Sequence, residues 1–332
     1  MVRTIKFRGK DYLADVFFPV KKELSSWKKS YGNLLRREEK FFFTISEYLL
    51  SFPQGEFGPG LVFLSAKAIR GEEITSSLLS KLEKFSLAIE IFHTALLLQN
   101  SLVQNVGIVS ENGLELNTQK QNSALLFSHY LFSEAFFLLK ELELTDLFPK
   151  FIEIFREMVE VKIREMDFLN HFRFIEDDYL EVVKSKTAKF LSLACWTGAY
   201  LCGGRDLLRE SLSNFGLNFG LSLQIVDDCL KVMDENNSFI HDLEIKKDDF
   251  SLIYLFPFLP EEERMEVINF LREKKDLPHT RALALVYRTV ELALKKAKYF
   301  SDQAKENIKI LPKSRFRESL IALADFPLER LA

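Results

Sequence analysis

The sequence predicts an all-α protein, and three observations support this. Almost half of the 332 residues are hydrophobic (47%), so core material is ample. Only 13 Gly and 9 Pro interrupt the chain, which favours long helices over many short strands. Strand-like alternation is not sustained anywhere, whereas apolar residues recur at the helical spacing of three and four, as in Phe85, Ala88, Ile89, Phe92 and Leu96.

Clusters of Gly, Pro, Asn and Asp predict where the helices end. These clusters lie at 52–60, 109–117, 144–149, 203–204, 234–238 and 259–262. No linker, low-complexity tract or internal repeat separates two halves of the chain. We therefore expect a single domain over residues 1–332, built as a bundle of about ten or more helices.

Charge and hydropathy argue against nucleic-acid binding and against a membrane-spanning segment. The net charge is −3 with both signs interspersed, and no arginine-rich arm or basic stripe is present, which argues against nucleic-acid binding. The longest apolar stretches, 85–98 and 190–203, are shorter than the roughly 20 residues that a membrane-spanning helix requires. We expect both stretches to form buried core helices and no segment to span a membrane.

The N-terminal segment and the cysteines favour a reducing cytoplasm. Residues 1–18 contain no apolar run followed by a small-residue cleavage site. The three cysteines, Cys195, Cys202 and Cys229, lack the spacing of metal ligands or of a disulfide framework. The 32 Phe residues have two interpretations, either bulky filling of the core or the lining of a tunnel for an apolar ligand.

The segment LSLQIVDDCLKVMDE, residues 221–235, carries the clearest chemical signal. An adjacent Asp pair on an apolar helix is costly to bury unless a metal ion or cations neutralise it. Mg²⁺ prefers carboxylate oxygens and bridges to phosphates, so one interpretation is a Mg²⁺ site at Asp227 and Asp228. The other is a solvated helix face with an Asp227–Lys231 ion pair. On a helix, one face would carry Gln224, Asp227, Asp228 and Lys231.

This segment resembles the second aspartate-rich motif, FQxxDDxxD, of the trans-isoprenyl diphosphate synthases. KTAKFLSLACWTGAYLCGG, from Lys186, is similar to the family's KTA helix, and residues 88–98 (AIEIFHTALLL) resemble the helix that carries the first motif. Residues 241–254 and the C-terminal segment also resemble the family. The resemblance implies an all-α fold around a deep cavity. It also implies condensation of an allylic diphosphate with isopentenyl diphosphate, with Mg²⁺ held between two acidic helices.

The chain departs from this family at its charged positions. Aligning His93 and Thr94 with the family's His-Thr pair places the first motif, DDxxD, on three neutral residues, Asn100, Ser101 and Gln104. The remaining departures are Val109 and Ser110 in place of tandem arginines, GEFGPG in place of the GKRxRP loop at 55–60, Lys231 in place of the last Asp of the second motif, and Asn237 in place of a lysine.

Several positions still match the family's diphosphate-binding residues. Mg²⁺ is expected at Asp227 and Asp228, and only weakly, because neutral oxygens at the first motif supply no charge. The Lys231 ammonium could stand where a metal ion stood and hold a phosphate. The diphosphate-binding candidates implied by the resemblance are Lys186, Thr187, Gln224, Lys231, Lys247 and His93.

The retained fold and the lost charges lead to one main hypothesis and two alternatives. The main hypothesis is a weakly active or non-catalytic subunit that pairs with an intact prenyl diphosphate synthase, or with itself, as the resemblance implies. The first alternative is an active but divergent prenyltransferase or class I terpene synthase acting on a prenyl diphosphate. The second is a protein that binds a prenyl chain or lipid.

Overall fold

The computed structural model describes residues 10–35, 56–103, 118–143, 147–171, 175–233, 256–273 and 279–331. Within these ranges no residue lies in a strand, so the predicted all-α fold is confirmed. The α-helices are α1 (Lys10–Val16), α2 (Lys21–Leu35), α3 (Phe57–Arg70), α4 (Ser76–Val103), α5 (Thr118–Glu141), α6 (Leu147–His171), α7 (Glu176–Val183), α8 (Lys189–Leu201), α9 (Asp206–Met233), α10 (Glu261–Glu273), α11 (His279–Asn307) and α12 (Arg315–Glu329).

Helix boundaries lie within or next to the predicted breaks at 52–60, 144–149 and 203–204. Between α8 and α9, Gly203 has φ 73°, a left-handed conformation that glycine adopts without strain, and Gly204 donates to the Ala199 carbonyl. In the other two breaks, α3 begins at Phe57 and α6 at Leu147, and Pro59 and Pro149 lie in their first turns, where a helix loses nothing from the missing N–H. The predicted breaks at 109–117 and 234–238 lie outside the described residues.

The chain forms two compact units, the first comprising Met1–Val16, Ile152–Leu193 and Glu210–Ala332. Its core cluster draws on α7, α9 and α11, with Tyr179, Ile225 and Ala293 fully buried. The C-terminal helix α12 packs on α11 and on α1, where the Tyr12 hydroxyl donates to the Ala322 carbonyl at 2.7 Å. The first unit therefore builds its core around the helix α9 that carries the aspartate pair.

The second unit comprises Phe17–Phe151 and Ala194–Arg209. Here α4 packs along α5, and Phe92 contacts the rings of Phe132, Phe136 and Phe151. Many of the phenylalanines around α4 thus fill the core, as the first interpretation of the Phe content predicts. No helix in the described ranges has both the length and the apolar character needed to cross a membrane.

Candidate functional site

The polar face of α9 is the centre of the candidate site. On its opposite face Ile225, Val226 and Cys229 are fully buried, which anchors the helix in the core of the first unit. Asp206 in the first turn and Lys231 in the last turn each complement the helix dipole. The packing of this apolar face therefore sets the orientation of the opposite, polar face, which begins at Gln224.

A π-helical turn, Lys184–Ala188, presents the KTA segment to this face. Gly220, one turn before Gln224, permits the close approach, since a Cβ there would lie 2.6 Å from the Ala188 Cα. As a result the Thr187 hydroxyl donates to Gln224 Oε1 at 2.9 Å. Lys186 lies in the same turn and is half-buried. Single π-turns within helices are frequent at functional sites.

Asp228 is buried and accepts three hydrogen bonds. Its Oδ2 accepts a hydrogen bond from the Tyr179 hydroxyl at 3.0 Å. Its Oδ1 accepts from Gln224 Nε2 at 3.0 Å and from Lys231 Nζ at 3.1 Å. Because Gln224 is itself held by Thr187, the network extends from the π-turn to the last turn of α9. Satisfied networks of this kind fix side-chain positions in a core.

Asp227 has a different partner, which lies 103 residues away along the chain. Arg330, directly after α12, donates from Nη1 to Asp227 Oδ1 and forms an ion pair with it. Among the described residues, the hydrogen bonds to Asp227 reach only this oxygen. The two aspartates therefore have different partners, Asp228 within the network and Asp227 at the C-terminal segment.

The two charged groups at this face have shifted pKa values. Burial raises the pKa of the Asp227 carboxyl above its usual value, although Arg330 and Lys231 act to lower it. For Lys231, desolvation acts against the charged form, yet the Asp228 carboxylate raises its pKa above the usual range. Lys231 therefore remains an ammonium at neutral pH, and 58% of its side chain is exposed to solvent.

The alternative of an Asp227–Lys231 ion pair is wrong. The ammonium of Lys231 binds Asp228, three residues earlier, while Asp227 binds Arg330. Lys231 and Arg330 thus supply the positive charge that a buried aspartate pair requires. Sequence reasoning missed both Arg330 and Tyr179, because neither is close to the pair along the chain.

The other predicted site residues lie elsewhere or outside the described chain. His93 lies on α4 in the second unit, half-buried, with its Nδ1 4.0 Å from Glu90 Oε1. Asn100 and Ser101 belong to the last turn of α4, but their side chains are outside the described part of the structure. Gln104 and Lys247 lie wholly outside it.

The donor set at Asp227 and Asp228 fits Mg²⁺ only in a limited way. No group of three or more His, Cys, Asp or Glu within the described ranges could hold a metal ion. Mg²⁺ in phosphate sites is nevertheless often bound through one or two carboxylates, with phosphates and waters completing its shell. Asp227 Oδ2 is a suitable ligand, whereas both oxygens of Asp228 already accept hydrogen bonds.

Removing the Tyr179 hydroxyl is expected to destabilise the protein. Tyr179 is fully buried and donates to a carboxylate, an interaction that contributes roughly 1.5–3 kcal/mol. We expect Tyr179→Phe to lower the free energy of unfolding by about 1–2 kcal/mol in urea denaturation, since Asp228 keeps two other donors. Tyr287→Phe, at an exposed position of α11, is the control. Equal stability of the two variants would contradict the network.

Comparisons with known proteins identify the family. The family model Polyprenyl synthetase matches residues 39–286. Geranylgeranyl diphosphate synthase of Saccharolobus solfataricus is 28% identical over 74% of this chain and 79% of that protein. Solanesyl-diphosphate synthase 2, chloroplastic, of Oryza sativa subsp. japonica is 24% identical over 94% and 78%.

The solved structures agree in fold. A polyprenyl synthase from Caulobacter crescentus CB15, complexed with calcium and isoprenyl diphosphate, superposes with a TM-score of 0.78. Its sequence identity is 20%, and the match covers 99% of this chain and 100% of that one. The family match, which spans most of the chain and includes the helix α9 with its aspartate pair, leads to one conclusion. This chain belongs to the polyprenyl synthetase family and to isoprenoid biosynthesis.

Proposed function

We propose that this chain is a weakly active or non-catalytic subunit that pairs with an intact prenyl diphosphate synthase. The observation that carries the proposal is the neutral first motif at Asn100, Ser101 and Gln104. Two diphosphates bring several negative charges into a low-dielectric site, and each charge left uncompensated costs several kcal/mol, roughly, in binding. The loss is therefore expected to remove most of the condensation activity.

The proposed role of the remaining site is to hold a prenyl diphosphate. Asp227 and Asp228 would hold Mg²⁺ weakly, and the ion would supply positive charge to the diphosphate when bound. Lys231 presents an exposed ammonium next to the pair, and Lys186 and Thr187 lie on the adjoining π-turn. Support also comes from the related Caulobacter crescentus protein, whose structure contains isoprenyl diphosphate and calcium.

Exposed apolar side chains of the second unit are candidates for the contact with the proposed partner. Leu125, Leu126 and Phe137 on α5 expose their large apolar side chains, as does Leu97 on α4. Exposed apolar clusters on a helix pair often mark an interface between subunits. We propose that this surface contacts the intact synthase subunit in a heterodimer, with a homodimer as the weaker assembly.

We propose that the chain is a single domain and that it is located in the cytoplasm. One family model covers residues of both compact units, which supports a single domain over residues 1–332. The three cysteines are buried and free, as expected in a reducing cytoplasm. Burial raises the pKa of the Cys195 thiol to about 12, so that this group is not a ready nucleophile at neutral pH.

Co-purification tests the partner assignment. We expect the tagged chain, co-expressed with an intact polyprenyl synthase of its organism, to retain that synthase on an affinity column. Leu126→Asp should abolish retention, because burying an unpaired carboxylate in an apolar contact costs free energy. Ile310→Asp, at an exposed position of the first unit, is the matched control and should retain it. No retention by wild-type protein would contradict the proposal.

A divergent enzyme is the second candidate, favoured by the intact network at Asp228. Thr187, Gln224 and Lys231 are joined there as a set. In that case the isolated chain would release diphosphate from a single prenyl diphosphate, without isopentenyl diphosphate. Binding of a prenyl chain or lipid has its own specific support, a groove of about 610 Å³ lined in part by Phe136, Phe137 and Phe148.

A further inference from the structure

We propose that Arg330 is a built-in counter-ion that holds Asp227 when no ligand is bound and competes with Mg²⁺ for that carboxylate. The inference rests on the proposed Mg²⁺–diphosphate site. Arg330 and a bound metal ion would use the same group, since both need the negative charge of Asp227. The ion pair and the metal complex therefore weaken each other.

The burial of Asp227 makes a counter-ion necessary. Only 15% of its side chain is exposed to solvent. A carboxylate in this environment is costly to ionise without a cation nearby. Arg330 meets that need through a direct hydrogen bond to Oδ1. Whatever replaces Arg330 must bring equivalent positive charge, which a divalent ion does.

The backbone around Arg330 is fixed well enough to aim the guanidinium. Leu328 and Leu331, on either side, pack against the core cluster of the first unit that includes Val226. The guanidinium lies over the ring of Phe326, with its Cζ 5.7 Å from the ring centroid. These contacts pre-position the guanidinium near Asp227, so the ion pair forms at low entropic cost.

The same segment is also able to release the contact. Pro327 lies inside α12 and has no N–H, so the last turn lacks one helical hydrogen bond. Upstream, α12 is anchored by the Ser301 hydroxyl on the Ala324 carbonyl and by the Lys305–Asp325 ion pair. Release of Arg330 would therefore loosen the turn after Pro327 without detaching the rest of the helix.

The consequence for function is a metal site whose carboxylate charge is already partly neutralised by the protein's own cation. An intramolecular cation has a high effective concentration, so Arg330 lowers the affinity of the site for any cation that needs the charge of Asp227. The weak Mg²⁺ binding that we propose for the aspartate pair would then arise from two causes. One is the loss of the first motif, and the other is the competition from Arg330.

Calorimetric titration with Mg²⁺ in the presence of methylenediphosphonate tests the competition. We expect Arg330→Gln to bind Mg²⁺ at least about 10-fold more tightly than wild type, since the carboxylate is no longer paired. Arg330→Lys keeps the charge and should lie between the two. Arg315→Gln removes a positive charge at the opposite end of α12 and should leave the affinity at the wild-type value. Ionic strength must be matched, because salt screens these charges.

Hydrogen exchange on the wild-type chain provides a readout that needs no variant to fold. Adding Mg²⁺ and methylenediphosphonate should accelerate exchange of the amides at Arg330 and Leu331, because Arg330 is displaced. Unchanged or slower exchange would overturn the competition, as would equal Mg²⁺ affinities of wild type and Arg330→Gln. Absence of Mg²⁺ binding in both proteins would instead remove the proposed metal site itself, and the competition with it.

Discussion

Purified alone, this chain is expected to condense farnesyl and isopentenyl diphosphates at least about 10³-fold more slowly than an intact polyprenyl synthase assayed beside it. Removing a single preorganised group that stabilises developing charge costs roughly 10²–10³ in rate. In the alignment that the family resemblance implies, the first motif falls on the neutral residues Asn100, Ser101 and Gln104, and the tandem arginines fall on Val109 and Ser110. Charge stabilisation at the leaving diphosphate is therefore the largest predicted loss.

Radiolabelled isopentenyl diphosphate with Mg²⁺ gives the measurement. A matched variant with Asn100→Asp, Ser101→Asp and Gln104→Asp restores the acidic motif and should increase Mg²⁺ affinity relative to wild type. Full activity is not expected from it, because the arginines are still missing. Polyprenyl product from the wild-type chain alone at about 1 s⁻¹ or faster, a turnover typical of metabolic enzymes, would rule out the weakly active subunit.

The second large effect is predicted at a helix crossing in the first unit. A Cβ at Gly216 would lie 2.5 Å from the Leu191 carbonyl oxygen and 2.8 Å from the Ser192 Cα. Both contacts are to backbone, so α8 and α9 would have to separate. We expect Gly216→Ala to destabilise the protein by about 1–3 kcal/mol, the usual cost of overpacking, despite the better helix propensity of Ala.

Gly32→Ala is the matched control. Gly32 also lies within a helix, α2, but a Cβ there would meet nothing within 4 Å. The substitution should stabilise the protein by about 0.5–1 kcal/mol, because Ala loses less backbone entropy than Gly in a helix. The two variants thus have opposite expected signs in urea denaturation. A Gly216→Ala protein as stable as Gly32→Ala would show that the two helices are not in close contact.

The local part of the site could be predicted from the sequence. The spacing of Gln224, Asp228 and Lys231 places them on one helical face, and the structure joins all three by hydrogen bonds. The aspartate pair on an apolar helix also predicted that cations or a metal ion must be present. Helical periodicity is a short-range property, which is why it was sufficient for these conclusions.

The contacts made by residues distant in sequence could not be predicted in the same way. Tyr179 and Arg330 reach the pair from 49 and 103 residues away, and no local pattern links them to it. Whether Lys231 would bind Asp227 or Asp228 depends on which carboxylate faces the core, since i,i+3 and i,i+4 pairs are equally accessible on a helix. In the structure Lys231 pairs with Asp228, and Arg330 pairs with Asp227.

The most direct test of the partner-subunit proposal is the chain-length distribution of the products of an intact polyprenyl synthase, measured with and without this chain. Increasing amounts of the purified chain should change the distribution or the total yield, with saturation at a fixed ratio of the two subunits. Leu126→Asp protein, which is expected not to bind, should have no effect at the same concentrations. An identical product distribution and yield at every ratio of wild-type chain to synthase would contradict the account.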